Sequence, residues 1–283
     1  MSEPAVLNFP ATLPGVPPSS ISAGRYLVRF ARTANDLDRI LRLRYEVFNL
    51  ELHEGLDAAH ASGRDEDQFD RRFHHLLIEE AASREVVGTY RMQTAEMAGA
   101  GGVGAGAYYS AGLFEVEALP GPVLRSAVEI GRACVAKRHR NGRVLHLLWR
   151  GLAAYLKWNM KSKLFGCCSL TTQDEALGLA VHQHLLATGA VHRTLRVNPR
   201  AGHECGGGVP LPTANCPLPT GNCPLPTGRR SPFAVPALFQ AYLSLGAKAL
   251  GPPAIDPEFK TIDWLVLLDV AELDGLTYRS FFR

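Results

Sequence analysis

Glu129 stands in Ala127-Val-Glu-Ile-Gly131, a run whose other side chains favour burial. A carboxylate there costs free energy unless it has a partner or a chemical task. Arg132 follows three residues later, and Arg91 closes the run Gly88-Thr-Tyr-Arg91. Two readings compete. One is a structural ion pair of Glu129 with Arg91 or Arg132; the other is a carboxylate kept for chemistry. Residues three apart on an extended strand face opposite sides, so Glu129 and Arg132 share a cleft only if a bulge or a bend at Gly131 intervenes.

Two further groups of residues have chemical potential. Asp67-Gln-Phe-Asp70 sets two carboxylates ahead of a strand, where they can meet an ammonium group or serve a capped, solvated loop. Lys137-Arg-His-Arg-Asn-Gly-Arg143 is a basic turn feeding a helix, and free N–H groups at a helix N-terminus bind phosphate. The competing reading is a solvated basic cap. No metal site is expected. His74 and His75 lack a second ligand cluster, and Cys205, Cys216 and Cys223 lack CxxC spacing.

The elements that must hold these residues follow from periodicity. Strands are predicted at Arg25–Phe30, His74–Glu79, Val86–Thr94, Ala127–Ala136, Lys163–Leu170, His192–Val197 and Trp264–Val270. Helices are predicted from the Thr33-Ala-Asn-Asp cap to about Leu50, over Arg143–Met160, near Gln173–Thr188, and from Phe233 to Leu250 before the Gly251-Pro-Pro stop. The polar stretch Gly55–Arg72 and the Gly/Ala-rich residues 98–107 read as loops; the latter lacks the GK[ST] ending of a phosphate loop. The order describes one α/β domain with a mixed central sheet, spanning residues 24–283.

Two segments stand outside it. Residues 1–23 are rich in proline and small residues and are expected to be a disordered lead. The PLPT units at Pro210, Pro217 and Pro224 make residues 204–232 an extended, exposed insertion.

Composition narrows the class. Of 283 residues 46% are hydrophobic, enough for a sizeable core. The start has no secretory pattern, and no run is long and apolar enough to span a bilayer, so a cytoplasmic protein is expected. A net charge of +3, without aromatic–basic interleaving, argues against a nucleic-acid partner.

The motifs join into a string. Arg44-Tyr-Glu-Val-Phe48, Asp67-x-x-Asp70, Gly88-Thr-Tyr-Arg91 and Glu129-Ile-Gly-Arg132 resemble the acyl-homoserine-lactone synthases. More closely the chain resembles their relatives, the ornithine N-acyltransferases of ornithine-lipid synthesis, in Asn141–Leu152, in Leu164-Phe-Gly-Cys-Cys-Ser-Leu170 and in the tail from Tyr242 through Gly251-Pro-Pro to Asp269. The resemblance covers about residues 25–200 and 235–283 and implies a GNAT-like α/β domain whose splayed strands form an acyl-pantetheine cleft.

It also implies direct transfer of a (3-hydroxy)acyl chain from acyl carrier protein to the α-amine of ornithine. Glu129 is then the candidate base and Arg132 its catalytic partner. Arg44, Phe48, Asp67, Asp70 and Arg91 are substrate-binding candidates, with Asp67 and Asp70 meeting ammonium groups. Val135, Arg138, Arg140, Asn141, Gly142 and Arg143 would hold the carrier and its pantetheine. The turn Arg140-Asn-Gly-Arg-Val carries one glycine where CoA users carry two or more. No cofactor is expected to be bound; the 4′-phosphopantetheine arm of the carrier acts as co-substrate. The reading leaves room for peripheral contact with the inner face of the membrane. Its rivals are a synthase of another N-acyl amino acid or an acyl-homoserine-lactone signal, and a non-catalytic acyl-carrier-binding module.

Overall fold

Seen in a computed structural model that describes residues 15–100, 108–206 and 235–282, the apolar runs become strands covered on both faces. In chain order the elements are β1 (Ile21–Ala23), β2 (Tyr26–Phe30), α1 (Ala34–Tyr45), α2 (Ala59–Ser62), β3 (His74–Glu80), β4 (Val86–Thr94), α3 (Ala95–Ala100), α4 (Gly121–Ser126), β5 (Ala127–Val135), α5 (Arg143–Trp158), β6 (Lys163–Leu170), α6 (Glu175–Ala187), α7 (Ala237–Ser244), β7 (Lys248–Ala249), β8 (Ala254–Asp256), β9 (Thr261–Asp269) and α8 (Gly275–Phe282). The strands form one mixed sheet in the order β1-β2-β3-β4-β5-β6-β9-β7, with β8 also paired to β9. Every pairing between the named strands is antiparallel except β5 with β6, which α5 connects as a crossover helix. The mixed α/β architecture read from the sequence is therefore present.

Helix α1 begins at a capping box, with Thr33 Oγ1 accepting from Asp36 N and Asp36 reaching back to the Thr33 N–H. The helix does run on to Glu51, but its last stretch, Glu46–Glu51, is a π-helical turn. α5 carries its apolar stripe, Val144, Leu147, Leu148, Leu152, Tyr155 and Leu156, against β2–β5. Gly151 lets α5 sit close, since a Cβ there would press on Leu76. A second, smaller core joins Phe165, Leu265 and Leu267 to Phe114, Val116 and Leu250.

The feature that opens the sheet lies between β5 and β6. Only Ala127–Glu129 pair with Lys163–Phe165. Beyond Phe165, β6 continues along β9 as far as Leu170, while β5 follows β4. At the fork the backbones are so close that a Cβ on Gly166 would overlap the Ile130 carbonyl oxygen. A wedge-shaped gap opens past this point.

Several sequence expectations are corrected. Residues 15–23 are not a disordered lead: Val16 is buried, Asn159 Nδ2 and Arg32 Nη2 donate to the Gly15 and Pro17 carbonyls, and β1 pairs with β2. Proline density misled because these main-chain groups find partners far along the chain. Residues 98–100 close helix α3 and are not loop. Around His192–Val197 there is no strand, only a bridge from Val191 to Ala249, because Val197 N–H bonds Leu250 O in an irregular crossing. The predicted helix Phe233–Leu250 shortens to α7, since Gly246 takes φ 92° and the chain then turns into β7. The PLPT units, with Cys216 and Cys223, lie outside the described residues. Cys205 is buried against α6, a packing residue.

Gly166→Ala is expected to lower stability by about 1–3 kcal/mol, because the added methyl first meets the Ile130 backbone of β5, which cannot move aside as a flexible side chain would. Urea unfolding of the two proteins checks this; an unchanged midpoint would mean the fork is not tightly closed.

Candidate active site

Past the fork, the gap between β5 and β6 holds a cavity of about 280 Å³. One part of its wall is apolar, formed by Ile130, Leu164, Val266, Leu268, Leu238 and Phe239. The other carries Glu129, Arg132, Tyr109, Glu54, Asp256 and Asp263. A site lined by both apolar and charged side chains suits an amphiphilic reactant or an apolar chain meeting a polar partner.

Glu129 and Arg132 reach this cavity together through a bulge. Thr89 pairs with Cys134 but Arg91 pairs with Gly131, so one residue of β4 faces two of β5. The positive φ falls on Arg132, at 49°, and not on Gly131. A side chain held in that region costs about 1–3 kcal/mol, and such strain persists where surrounding contacts over-determine it. Arg132 has those contacts. Its Nη1 donates to Tyr109 Oη at 3.1 Å and its Nη2 to Asp67 at 3.0 Å, and its guanidinium stacks 3.8 Å from the Phe259 ring centroid.

Glu129 pairs with neither arginine, which corrects the ion-pair reading. Its Oε1 accepts from Ser110 N at 2.8 Å and Ser110 Oγ at 2.6 Å, and its Oε2 from Tyr109 N at 3.1 Å. Burial pushes its carboxyl above the usual range, with the bonds from Ser110 and Tyr109 opposing. Hence Glu129 anchors the segment that brings Tyr109 to the cavity and still presents a carboxylate there.

Behind the cavity lies a buried ionic network. Arg44 donates from Nε to Asp65 at 2.7 Å and from Nη1 to Asp70 at 2.6 Å. Arg91 Nη1 donates to Asp67 at 2.7 Å and Asp70 at 3.0 Å. Arg132 closes the chain on Asp67, with Nε 3.4 Å from Asp65. Three guanidinium groups thus face three carboxylates. Burial raises the pKa of Asp70 and Asp67, but the neighbouring arginines outweigh it and hold both carboxyls below the usual range. Asp67 and Asp70 are consumed by these partners and do not line the cavity, so the expectation that they meet an ammonium group is corrected. Arg44 and Arg91 also stand behind the wall, while Phe48 is in it, edge-on to Phe259. Arg91 keeps two nitrogens, Nε and Nη2, without hydrogen-bond partners, over the rings of Phe73 and Tyr109.

The basic turn lies elsewhere, at the start of α5. Gly142 takes φ 80°, no side chain caps the helix, and Asn141 Oδ1 accepts from Arg143 N at 3.1 Å. Its charge is partly spent: Arg140 is bidentate to Glu51, Arg138 pairs with Glu85, and Arg143 donates to the Ala23 carbonyl. Val135 offers its carbonyl to Arg140 Nε. Among the described residues no His, Cys, Asp and Glu cluster could hold a metal ion.

Comparisons with known proteins give the family of the chain. Residues 43–150 match the acetyltransferase (GNAT) domain family. The chain is 32% identical to an L-ornithine N(α)-acyltransferase of Agrobacterium fabrum, over 92% of this chain and 85% of that protein. The chain belongs to this acyltransferase family. A second L-ornithine N(α)-acyltransferase, from Rhizobium meliloti, is 30% identical over 90% of this chain and 83% of its own length. The crystal structure of the AHL synthase LasI is similar at 12% identity and TM-score 0.47, covering 92% of this chain and 96% of that one. The GNAT-like fold and acyltransferase class of this chain follow from the family.

Sequence reasoning missed Asp65, Tyr109 and Ser110, whose roles arise from contacts across 19 or more residues of chain. It also missed Asp263, although a carboxylate inside an apolar run is the signal that picked out Glu129.

Arg44→Met should cost about 3–5 kcal/mol, since it leaves Asp65 and Asp70 buried with too few counter-charges. Denaturant titration measures it. A loss under about 1 kcal/mol would show that the network is not needed to hold the fold.

Proposed function

We propose that this acyltransferase moves a (3-hydroxy)acyl chain from acyl carrier protein to the α-amine of ornithine, the first step of ornithine-lipid synthesis. The observation that carries the reading is the fork between β5 and β6, with an apolar wall beside Glu129 and Arg132. The names of the relatives favour ornithine as acceptor. The single glycine of the turn before α5, with its uncapped helix start, favours the phosphopantetheine arm of a carrier protein. Arg138 and Arg140 are exposed, and surface pairs are worth only about 0–1 kcal/mol, so an acidic carrier can take over from Glu85 and Glu51.

In the proposed step the α-amine, which titrates near roughly 8, loses a proton to Glu129 directly or through water. The amine nitrogen then attacks the thioester carbonyl carbon. A β5 N–H released from strand pairing by the fork steadies the oxyanion. Collapse breaks the C–S bond, and the carrier thiolate leaves and takes up the second proton that the attacking nitrogen loses on becoming an amide. Arg132 steadies the amino-acid carboxylate, while Arg44, Asp67, Asp70 and Arg91 set its position from behind. Phe48 shapes the wall. No helix among the described residues is long and apolar enough to cross a membrane. The reading has the enzyme working in the cytoplasm and releasing its amphiphilic product at the inner face, past the exposed Leu52 at the cavity rim.

Purified enzyme with acyl carrier protein thioester and ornithine should yield the mass of acyl-ornithine. Glu129→Gln should fold with a loss of about 1–3 kcal/mol, since one amide hydrogen now faces Tyr109 N. Its kcat should fall about 10²–10⁴-fold, most at low pH where free amine is scarce. A folded variant with unchanged kcat from about pH 6 to 9 would remove Glu129 as base.

A further inference from the structure

β9 carries a carboxylate into an apolar strand, and it differs from the buried carboxylates of the ionic networks and from Glu129, which backbone N–H groups hold. Asp65, Asp67 and Asp70 each face guanidinium groups, as do Asp36 and Glu79. Asp263 is 3% exposed and has only hydroxyl partners: Thr261 Oγ1 at 3.3 Å and Ser169, its register partner on β6. Hydroxyls solvate a carboxylate without neutralising it, and no cation among the described residues pairs with Asp263, Asp256 or Glu54. All three line the cavity. Burial, with Asp256 and Glu54 nearby, pushes the Asp263 carboxyl up to about 7, the state of a charge that lacks its partner.

Among the described residues the cavity wall also holds one cation, Arg132, whose side chain is 6% exposed and whose Nε has no hydrogen-bond acceptor. With Glu129 at one end of the polar lining and Asp263, Asp256 and Glu54 grouped at the other, and Arg132, also shared with Asp67, in the same wall, the lining suits an amino acid with one carboxylate and two amines. We propose that Asp263, flanked by Asp256 and Glu54, receives the side-chain ammonium of the acceptor and so selects diamino acids over neutral ones of equal length. This assignment rests on the acceptor reading above.

The spacing is compatible. Glu129 pairs with Phe165 and Asp263 with Ser169, so the two stand on the strands either side of β6, four rows apart along it (about 13 Å) and two strand spacings across it (about 10 Å); their backbones are about 16 Å apart, a gap that the two side chains shorten. Cys167 lies between and feels both charges. In an extended 2,5-diamine the nitrogens are about 6 Å apart, and a hydrogen bond of about 2.9 Å at each end brings the span to about 12 Å.

The test compares L-ornithine with L-norvaline, the same chain without the second amine, using the full-length enzyme and acyl carrier protein thioester. Wild type should prefer ornithine by about 100-fold or more in kcat/KM. Asp263→Asn should narrow that ratio at least about tenfold, chiefly by raising KM for ornithine. Glu54→Gln, at the half-buried rim, should narrow it in the same direction, and it decides the matter if Asp263→Asn does not fold. Folded variants that keep the wild-type ratio overturn this assignment alone. Wild type that acylates no ornithine overturns the acceptor reading and the assignment with it.

Discussion

Three arginines and three aspartates, buried together, tie the working parts of this protein to one another. Arg44 comes from α1, Asp65, Asp67 and Asp70 from the loop after it, Arg91 from β4 and Arg132 from the bulge of β5. The network has no net charge, which is what allows it to be dry. Its geometric consequence is larger than its energy. By fixing Arg132 at φ 49° it fixes the bulge, and the bulge turns Glu129 and Arg132 into the same cavity. Without that pinning, β5 would relax to a regular strand and the two side chains would part to opposite faces.

The fork between β5 and β6 supplies the other half of the arrangement. A sheet that remained paired through Ile130 would have no room for an acyl chain. Two crowded backbones at Gly166 mark where pairing stops, and β9 supports β6 along its whole length so that the gap does not collapse. On the proposed reading, the main-chain groups of β5 beyond Glu129, where the register with β6 ends, are the ones that meet the acyl thioester.

Much of this was legible in the sequence, for identifiable reasons. β3, β4, β5, β6 and α5 were readable because their burial pattern is local and periodic. Glu129 stood out because a carboxylate among apolar neighbours needs an explanation. What Glu129 binds was not readable, since Tyr109 and Ser110 reach it from a separate segment. Asp67 and Asp70 were visible as carboxylates, but that they are consumed by arginines depends on three elements converging. Residues 15–23 looked unstructured by composition, yet Val16 and the carbonyls of Gly15 and Pro17 find partners on α5 and near β2. Asp263 obeyed the same rule as Glu129 and could have been found by it.

The central claim is that the cleft delivers an acyl chain to the α-nitrogen and reserves the far nitrogen for recognition. Ornithine labelled with ¹⁵N at the α-position alone separates the two nitrogens. Tandem mass spectrometry of the product made from it by the purified enzyme should show the heavy nitrogen in the acyl amide and the light one in the free amine. An acyl amide carrying the light nitrogen would mean that the acceptor sits the other way round, and it would contradict the account of this site.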